Sequence, residues 1–144
     1  MAADHSATRE ELDRPAALSD QRSSIERMLT PRSIAVIGAS RDPAKRGHQA
    51  VAALLELGFP HPIYPVNPSG GTILGLPVAR DISEIDDRVD LALVVTPAPT
   101  VPGILEQAAD AGVGGAVVIA VGFAESGAYG RFLEDEIAAV AART

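Results

Sequence analysis

Residues 33–47 read Ser33-Ile-Ala-Val-Ile-Gly-Ala-Ser-Arg-Asp-Pro-Ala-Lys-Arg-Gly47, and this stretch decides the fold. Ser33 to Ile37 reads as the first strand, its unbroken apolar run that of a strand covered on both faces, as in a parallel sheet flanked by helices. Gly38 ends it. After a segment of turn formers and bases, Gln49 to Leu57 places Val51, Leu54 and Leu55 at helical spacing, with Gly58 as the stop. Strand, glycine turn and helix in this order open a β-α-β unit.

The pattern repeats outward from this unit. Ile63-Tyr-Pro-Val66 reads as a second strand, and its Pro65, which cannot donate to a ladder, predicts an edge position or an exit from the sheet. Asn67 to Pro77 is a turn-rich excursion, followed by a brief helix over Ile82 to Asp86. Asp90 to Val95 is the third strand, closed by Thr96-Pro-Ala-Pro99, and Val101 to Ala111 is a helix ending at Gly112. Gly115 to Ala120 is the fourth strand. Tyr129 to Ala142 then carries Phe132, Leu133, Ile137, Val140 and Ala141 as the face of a covering helix. These elements predict an α/β chain, a Rossmann-like parallel sheet with helices on both faces. No fifth strand follows the last helix, so the sheet reads as lacking a final strand.

The 144 residues suit one domain. Hydrophobic residues make up 47% but aromatic ones only 3%, so the core is aliphatic. A formal charge of -7 argues against nucleic acid and anionic membrane surfaces as partners, while leaving room for a locally positive pocket. There is no cysteine, hence no disulfide framework or thiolate site. The three histidines, His5, His48 and His61, have no second histidine at ligand spacing, so no metal site is expected. Without a membrane-length apolar run or a secretory signal, a cytoplasmic protein is expected. The polar residues 1–23 read as a flexible arm, with a short helix over Ser24 to Leu29 leading into a domain at 24–144.

In open parallel sheets, ligands bind beyond the carboxyl ends of the strands. Four segments lie there: Gly38 to Gly47, Asn67 to Gly71, Thr96 to Pro99 and Val121 to Gly127. The first has the makings of a phosphate cradle. Gly38 admits a close backbone approach, Ser40 offers a hydroxyl, Arg41, Lys45 and Arg46 supply charge, and Gly47 stands where a helix can aim its first amides at an anion. The same residues also suit a plain strand-to-helix connection with solvated bases. Gly-x-Gly-x-x-Gly is absent, Asn67 stands where a dinucleotide site has its acidic ribose ligand, and no Gly-Lys-Ser/Thr follows the first glycine. Glu125 can serve as a hydrogen-bond acceptor or base, a helix cap or a solvated charge. Asp86 and Asp87 read as loop charges without partners.

Taken in order, Pro31 to Pro43, Ile63 to Pro68, Gly75-Leu-Pro77, Val89 to Val95, Pro97-Ala-Pro99 and Gly122-Phe-Ala-Glu-Ser-Gly127 resemble the CoA-binding domain of ADP-forming acyl-CoA synthetases. The chain resembles succinyl-CoA ligase alpha subunits more distantly. The resemblance implies that coenzyme A is bound as a substrate. It puts Gly38, Ala39, Ser40 and Pro43 to Gly47, including Lys45 and Arg46, around the phosphates. Val66, Asn67 and Pro68 fall at the adenine-nucleotide end, Thr96, Pro97 and Ala98 along the path of the pantetheine, and Gly122, Phe123 and Glu125 near the thiol. Many members carry a basic residue directly after Val-Asn-Pro, where this chain has Ser69. The resemblance also implies that the phosphate-carrying histidine and the nucleotide-grasping parts belong to further synthetase domains or subunits. This chain is then expected to bind without catalysing. The alternatives are a free-standing or acetyltransferase-fused module that senses CoA or acyl-CoA, and an oxidoreductase fragment, which the missing dinucleotide fingerprint disfavours.

Overall fold

The computed structural model describes the backbone of residues 16–144 and the side chains from residue 23 onward. In chain order the elements are α1 (Ala16–Leu29), β1 (Ile34–Ile37), α2 (Arg46–Glu56), β2 (Ile63–Val66), β3 (Thr72–Ile73), β4 (Leu76–Pro77), β5 (Leu91–Val94), α3 (Val101–Asp110), β6 (Gly115–Val118) and α4 (Ala128–Arg143). Single 3₁₀ turns lie at Ile82–Glu84, Ala98–Thr100 and Ala124–Ser126. The main sheet is parallel, in the order β2-β1-β5-β6. All four strands read from the sequence are in it.

Strand alternation divides the core in two. Ala35, Ile37, Ala92, Val94, Ala116 and Val118 face α3 and α4 and pack with Val101 and Ile137. Ile34, Val36, Leu91 and Leu93 face α2 and pack with Val51 and Leu54. Helices therefore cover both faces, as the unbroken apolar strands require. Val36, Val51, Val94 and Val101 are fully buried, each contributing roughly 1.5–3 kcal/mol of apolar transfer free energy.

Several local readings are corrected. Helix α1 reaches back to Ala16 where the sequence placed its start at Ser24, because a helix gains stability with length once nucleated. The reading of an arm falls, for residues 1–15, outside the described residues. The excursion after β2 holds a small antiparallel hairpin, β3 with β4. Strand β2 is an edge, as Pro65 predicted. Its Pro65 carbonyl accepts from Ala79 N at 3.0 Å, so the side on which its N–H is missing faces away from β1. In α4 the inward stripe is Gly130, Leu133, Ile137 and Val140; Phe132 lies one residue off that stripe, is 54% exposed, and stacks on Tyr129. Asp87 does have a partner: Tyr64 Oη donates to it at 2.6 Å, a bond that pushes the phenol up to about 12.

The foot of the sheet is tied by Asp90. Arg27 Nε from α1 donates to Asp90 Oδ1 at 2.8 Å and Arg32 N donates to Oδ2 at 2.9 Å. Arg27 Nη2 also reaches the Val89 carbonyl. The buried Ser33 donates to the Arg88 carbonyl and accepts from Asp90 N. Met28 lies over Gly115, so α1 covers the start of β6 on the α2 side of the sheet. Beyond that point Val117 in β6, and Ile119 and Val121 in the segment that follows it, are 41%, 43% and 74% exposed.

Candidate nucleotide site at the carboxyl edge

The loops that follow β1, β2, β5 and β6 meet at the carboxyl edge of the sheet. The reversal of strand order, where a ligand crevice opens, falls between β1 and β5. Gly38 is the hub of the edge. Its φ is +94°, and a Cβ there would stand 2.8 Å from Thr96 Cγ2 and 3.2 Å from the Val95 carbonyl. Only glycine takes both the backbone angle and the proximity. Gly47 has ordinary helical geometry but no room. A Cβ would lie 2.8 Å from the Gly38 carbonyl carbon and 3.0 Å from Ala39 Cα, with the Gly38 oxygen closer still. The first turn of α2 therefore sits directly on the β1 loop.

That helix end is open. Lys45 is its N-cap and no side chain caps it, leaving the Arg46 and Gly47 amides, at the positive end of the helix dipole, without a partner among the described residues. Lys45, Arg46 and Pro43 are exposed around it. Ser40 Oγ accepts from Asp42 N at 3.1 Å and keeps its own hydrogen to donate. His48 Nδ1 lies 3.0 Å from the Ser40 carbonyl, which can only accept, so the ring proton is on Nδ1 and holds that carbonyl back. The chemistry of this donor set, amides, a hydroxyl and cations without a carboxylate ion partner among the described residues, suits phosphate.

Other expected residues shape the site from beneath. Ala39, Val66 and Ala98 are buried. Val66 O accepts from both Gly38 N and Ala39 N. Asn67 spends its side chain internally, with Nδ2 donating to the Ala39 carbonyl at 2.7 Å and Oδ1 accepting from Ser69 N and Ser69 Oγ. It ties the first loop to the second. Pro68 and Pro97 are exposed on the rim; Thr100 Oγ1 donates to the Pro97 carbonyl at 2.7 Å, so at 3.0 Å it is left to accept from Thr96 Oγ1. Gly122, with φ +111°, meets the Ala98 methyl, so the third and fourth loops also touch.

Glu125 closes the fourth loop. Its Oε1 accepts from Gly122 N at 2.6 Å and Phe123 N at 3.1 Å. The Gly122 bond above all holds the carboxyl below its usual range. Both bonds turn the carboxylate to the amides of its own loop, the geometry of a hydrogen-bond acceptor or cap. Gly130 repeats the device of Gly47, since a Cβ there would run into the Phe123 carbonyl and come 3.0 Å from the Gly122 oxygen. Replacing Glu125 with alanine is expected to speed hydrogen exchange at the Gly122 and Phe123 amides while leaving the strand amides protected. Unchanged exchange at those two would end the clamp reading.

Arg41 is the contact that local patterns understate. It leaves the β1 loop and donates from Nη1 to Ser69 Oγ at 3.2 Å and from Nη2 to the Gly70 carbonyl. Its place in a basic loop signalled charge but not the destination. Two hollows lie elsewhere. One, of about 480 Å³, opens at the foot of the sheet beside Glu26 and Arg88, where Arg27 and Asp90 are already paired.

A parallel sheet with a glycine turn at its reversal point and an uncapped, close-packed helix end defines a nucleotide-binding α/β domain. The chain belongs to the CoA-binding domain family, whose model, described as a CoA binding domain, matches residues 32–144. Coenzyme A is the ligand this membership assigns. The chain is 40% identical over 118 residues to the alpha subunit of acetate–CoA ligase (ADP-forming) I from Pyrococcus furiosus, an alignment covering 79% of this chain and 26% of that one. Among solved structures it resembles the dinucleotide-forming acetyl-coenzyme A synthetase 1 of Ca. Korarchaeum cryptofilum in complex with phosphate and ADP. That match has 39% identity and a TM-score of 0.78, and covers 83% of this chain and 25% of that one. A conserved hypothetical protein of Pyrococcus furiosus matches at 32% identity and a TM-score of 0.59, over 73% of this chain and 87% of its own. The chain is thus homologous to the CoA-binding region of ADP-forming synthetases and spans between 16% and 26% of the length of the curated acetate–CoA ligases it matches.

Proposed function

We propose that this chain is the CoA-holding part of an ADP-forming acyl-CoA synthetase, cytoplasmic, with acyl activation and phosphate transfer carried by further domains or subunits. The observation that carries the reading is the uncapped end of α2, seated on Gly38 through Gly47 and ringed by Lys45 and Arg46. In this reading Gly38, Ser40, Pro43, Lys45, Arg46 and Gly47 surround the CoA phosphates, with Ala39 holding the loop from below. Asn67 and Pro68 border the adenine end over Val66. Thr96 and Pro97 border the pantetheine over Ala98, and Gly122, Phe123 and the Glu125 clamp border the thiol. Exposed Val117 on the edge strand β6, which has no outer neighbour among the described residues, with exposed Ile119 and Val121 just past its end, supports a docking surface for those further parts.

Calorimetric titration with CoA and NAD tests the reading. CoA is expected to bind, and NAD to bind far more weakly; the reverse order would sink the proposal. Exchanging Lys45 and Arg46 together for alanine is expected to weaken CoA by roughly 10–100-fold at low salt, the worth of one or two charge-assisted bonds, and by less as salt rises. An unaltered, salt-independent affinity would make both residues mere surface charges.

The second reading, a stand-alone CoA-responsive module, is favoured by the Pyrococcus furiosus hypothetical protein, most of whose own length this chain covers. Acyl-CoA formation supported by this chain together with other synthetase subunits, and absent without it, would decide for the first.

A further inference from the structure

Two arginines reach the turn that follows β2. Arg41 arrives from the β1 loop and is fixed on Ser69 Oγ and the Gly70 carbonyl. Gly71, with φ +82°, leaves it space, since a Cβ there would stand 3.3 Å from Arg41 Cζ with Nη2 nearer still. Arg80 comes back along the open side of β2 and lays its side chain against Gly70, its Nε 3.1 Å from where a Cβ would be. Neither guanidinium has a carboxylate within ion-pair distance among the described residues. The acids beside them in sequence are turned to backbone amides: Asp42 Oδ1 to Ala44 N, Asp81 Oδ1 to Ser83 N, and Glu84 Oε2 to Arg80 N. Arg41 uses two of its five N–H groups on neutral acceptors, and the Arg80 guanidinium makes no hydrogen bond among the described residues.

A chain of net charge -7 thus keeps two uncompensated guanidinium forks at one turn, a donor geometry that matches a phosphate. The site is separate from the end of α2, which offers its own anion position. In doubly wound folds the ribose lies over the end of the second strand, and an arginine there takes a phosphate carried on that ribose. We infer that Arg41 and Arg80 form a second anion subsite beside Gly70 and Gly71, and that it receives the ribose 3′-phosphate of coenzyme A. The inference rests on the CoA reading above. It makes the pair the determinant of CoA over dephospho-CoA.

The test is calorimetric titration of CoA and dephospho-CoA against the unaltered chain, Arg41→Gln and Arg80→Gln. The unaltered chain is expected to prefer CoA by roughly 10–100-fold, in line with one or two charge-assisted bonds to the phosphate. Each variant is expected to lose most of that preference, with dephospho-CoA affinity held within about twofold, as expected of a group the shorter ligand does not touch. Arg80→Gln disturbs no side-chain hydrogen bond among the described residues, so it answers even if Arg41→Gln loosens the two loops. Equal loss of both ligands in Arg80→Gln, or no loss of either, overturns the subsite. Failure of the unaltered chain to bind either ligand overturns the CoA reading instead.

Discussion

Gly47→Ala is expected to lower the melting temperature by roughly 10 °C, about 2–3 kcal/mol for a domain of this size, and to weaken CoA binding at least tenfold. Two effects oppose each other. Alanine is favoured over glycine in a helix by about 1 kcal/mol, and Gly47 has no positive φ to protect it. Against that, the new methyl would overlap the Gly38 carbonyl and press on Ala39 Cα at 3.0 Å, and both are backbone that cannot rotate aside. The helix must retreat by an ångström or more, and the overlap outweighs the propensity. Retreat also withdraws the open amides of α2 from the loop, so stability and binding fall together. Gly103, inside α3 with open space around it, is the matched control. There alanine is expected to stabilise by up to about 1 kcal/mol. Thermal denaturation of the two variants should give shifts of opposite sign; a stabilised Gly47→Ala would mean that α2 does not rest on Gly38.

Asp90→Ala is the second large effect, at about 2 kcal/mol of destabilisation. The side chains of Arg27 and Asp90 are 18% and 13% exposed, so the loss should fall between the ~1 kcal/mol of a surface pair and the ~3–5 kcal/mol of a deeply buried one. The variant also leaves Arg32 N without its acceptor. Its pH dependence is distinctive. Burial works to raise the Asp90 carboxyl, but the Arg32 amide and the Arg27 guanidinium outweigh it and hold the group below its ordinary value. A carboxyl depressed on folding stabilises above the unfolded pKa of about 3.9 and loses that contribution as pH falls through the folded value. The gap between unaltered chain and variant should therefore be full from about pH 5 upward and shrink below about pH 4, as read from urea midpoints at successive pH. A gap that does not vary with pH would show that the carboxylate charge contributes nothing.

Much of the site was legible because strand ends and loop glycines are local signals. Gly38 and Gly47 were marked by the turn and helix start that they flank, and the structure puts them in contact. Asn67 and Glu125 were visible as polar residues at strand ends, but their allegiance was not. Each has backbone amides or carbonyls within reach, and whether a side chain turns to those or to a ligand depends on loop geometry that no spacing reveals. Asn67 proves to be spent on Ala39 and Ser69, and Glu125 on Gly122 and Phe123.

By itself the sequence determined the parallel sheet, its four strands and the helices between them, because buried strands and amphipathic helices impose their own periods on the chain. It also determined which loops lie at the carboxyl edge, since that follows from strand direction alone. Only the tertiary structure decided what crosses between elements: Arg27 on Asp90 over a separation of 63 residues, Arg41 on the turn after β2, and Arg80 beside it. It likewise turned Phe132 out of the core and left Val117 of β6 exposed. A side chain's partner is set by where distant backbone brings it. The cost of leaving a charge or a methylene unpartnered is felt only in the folded chain.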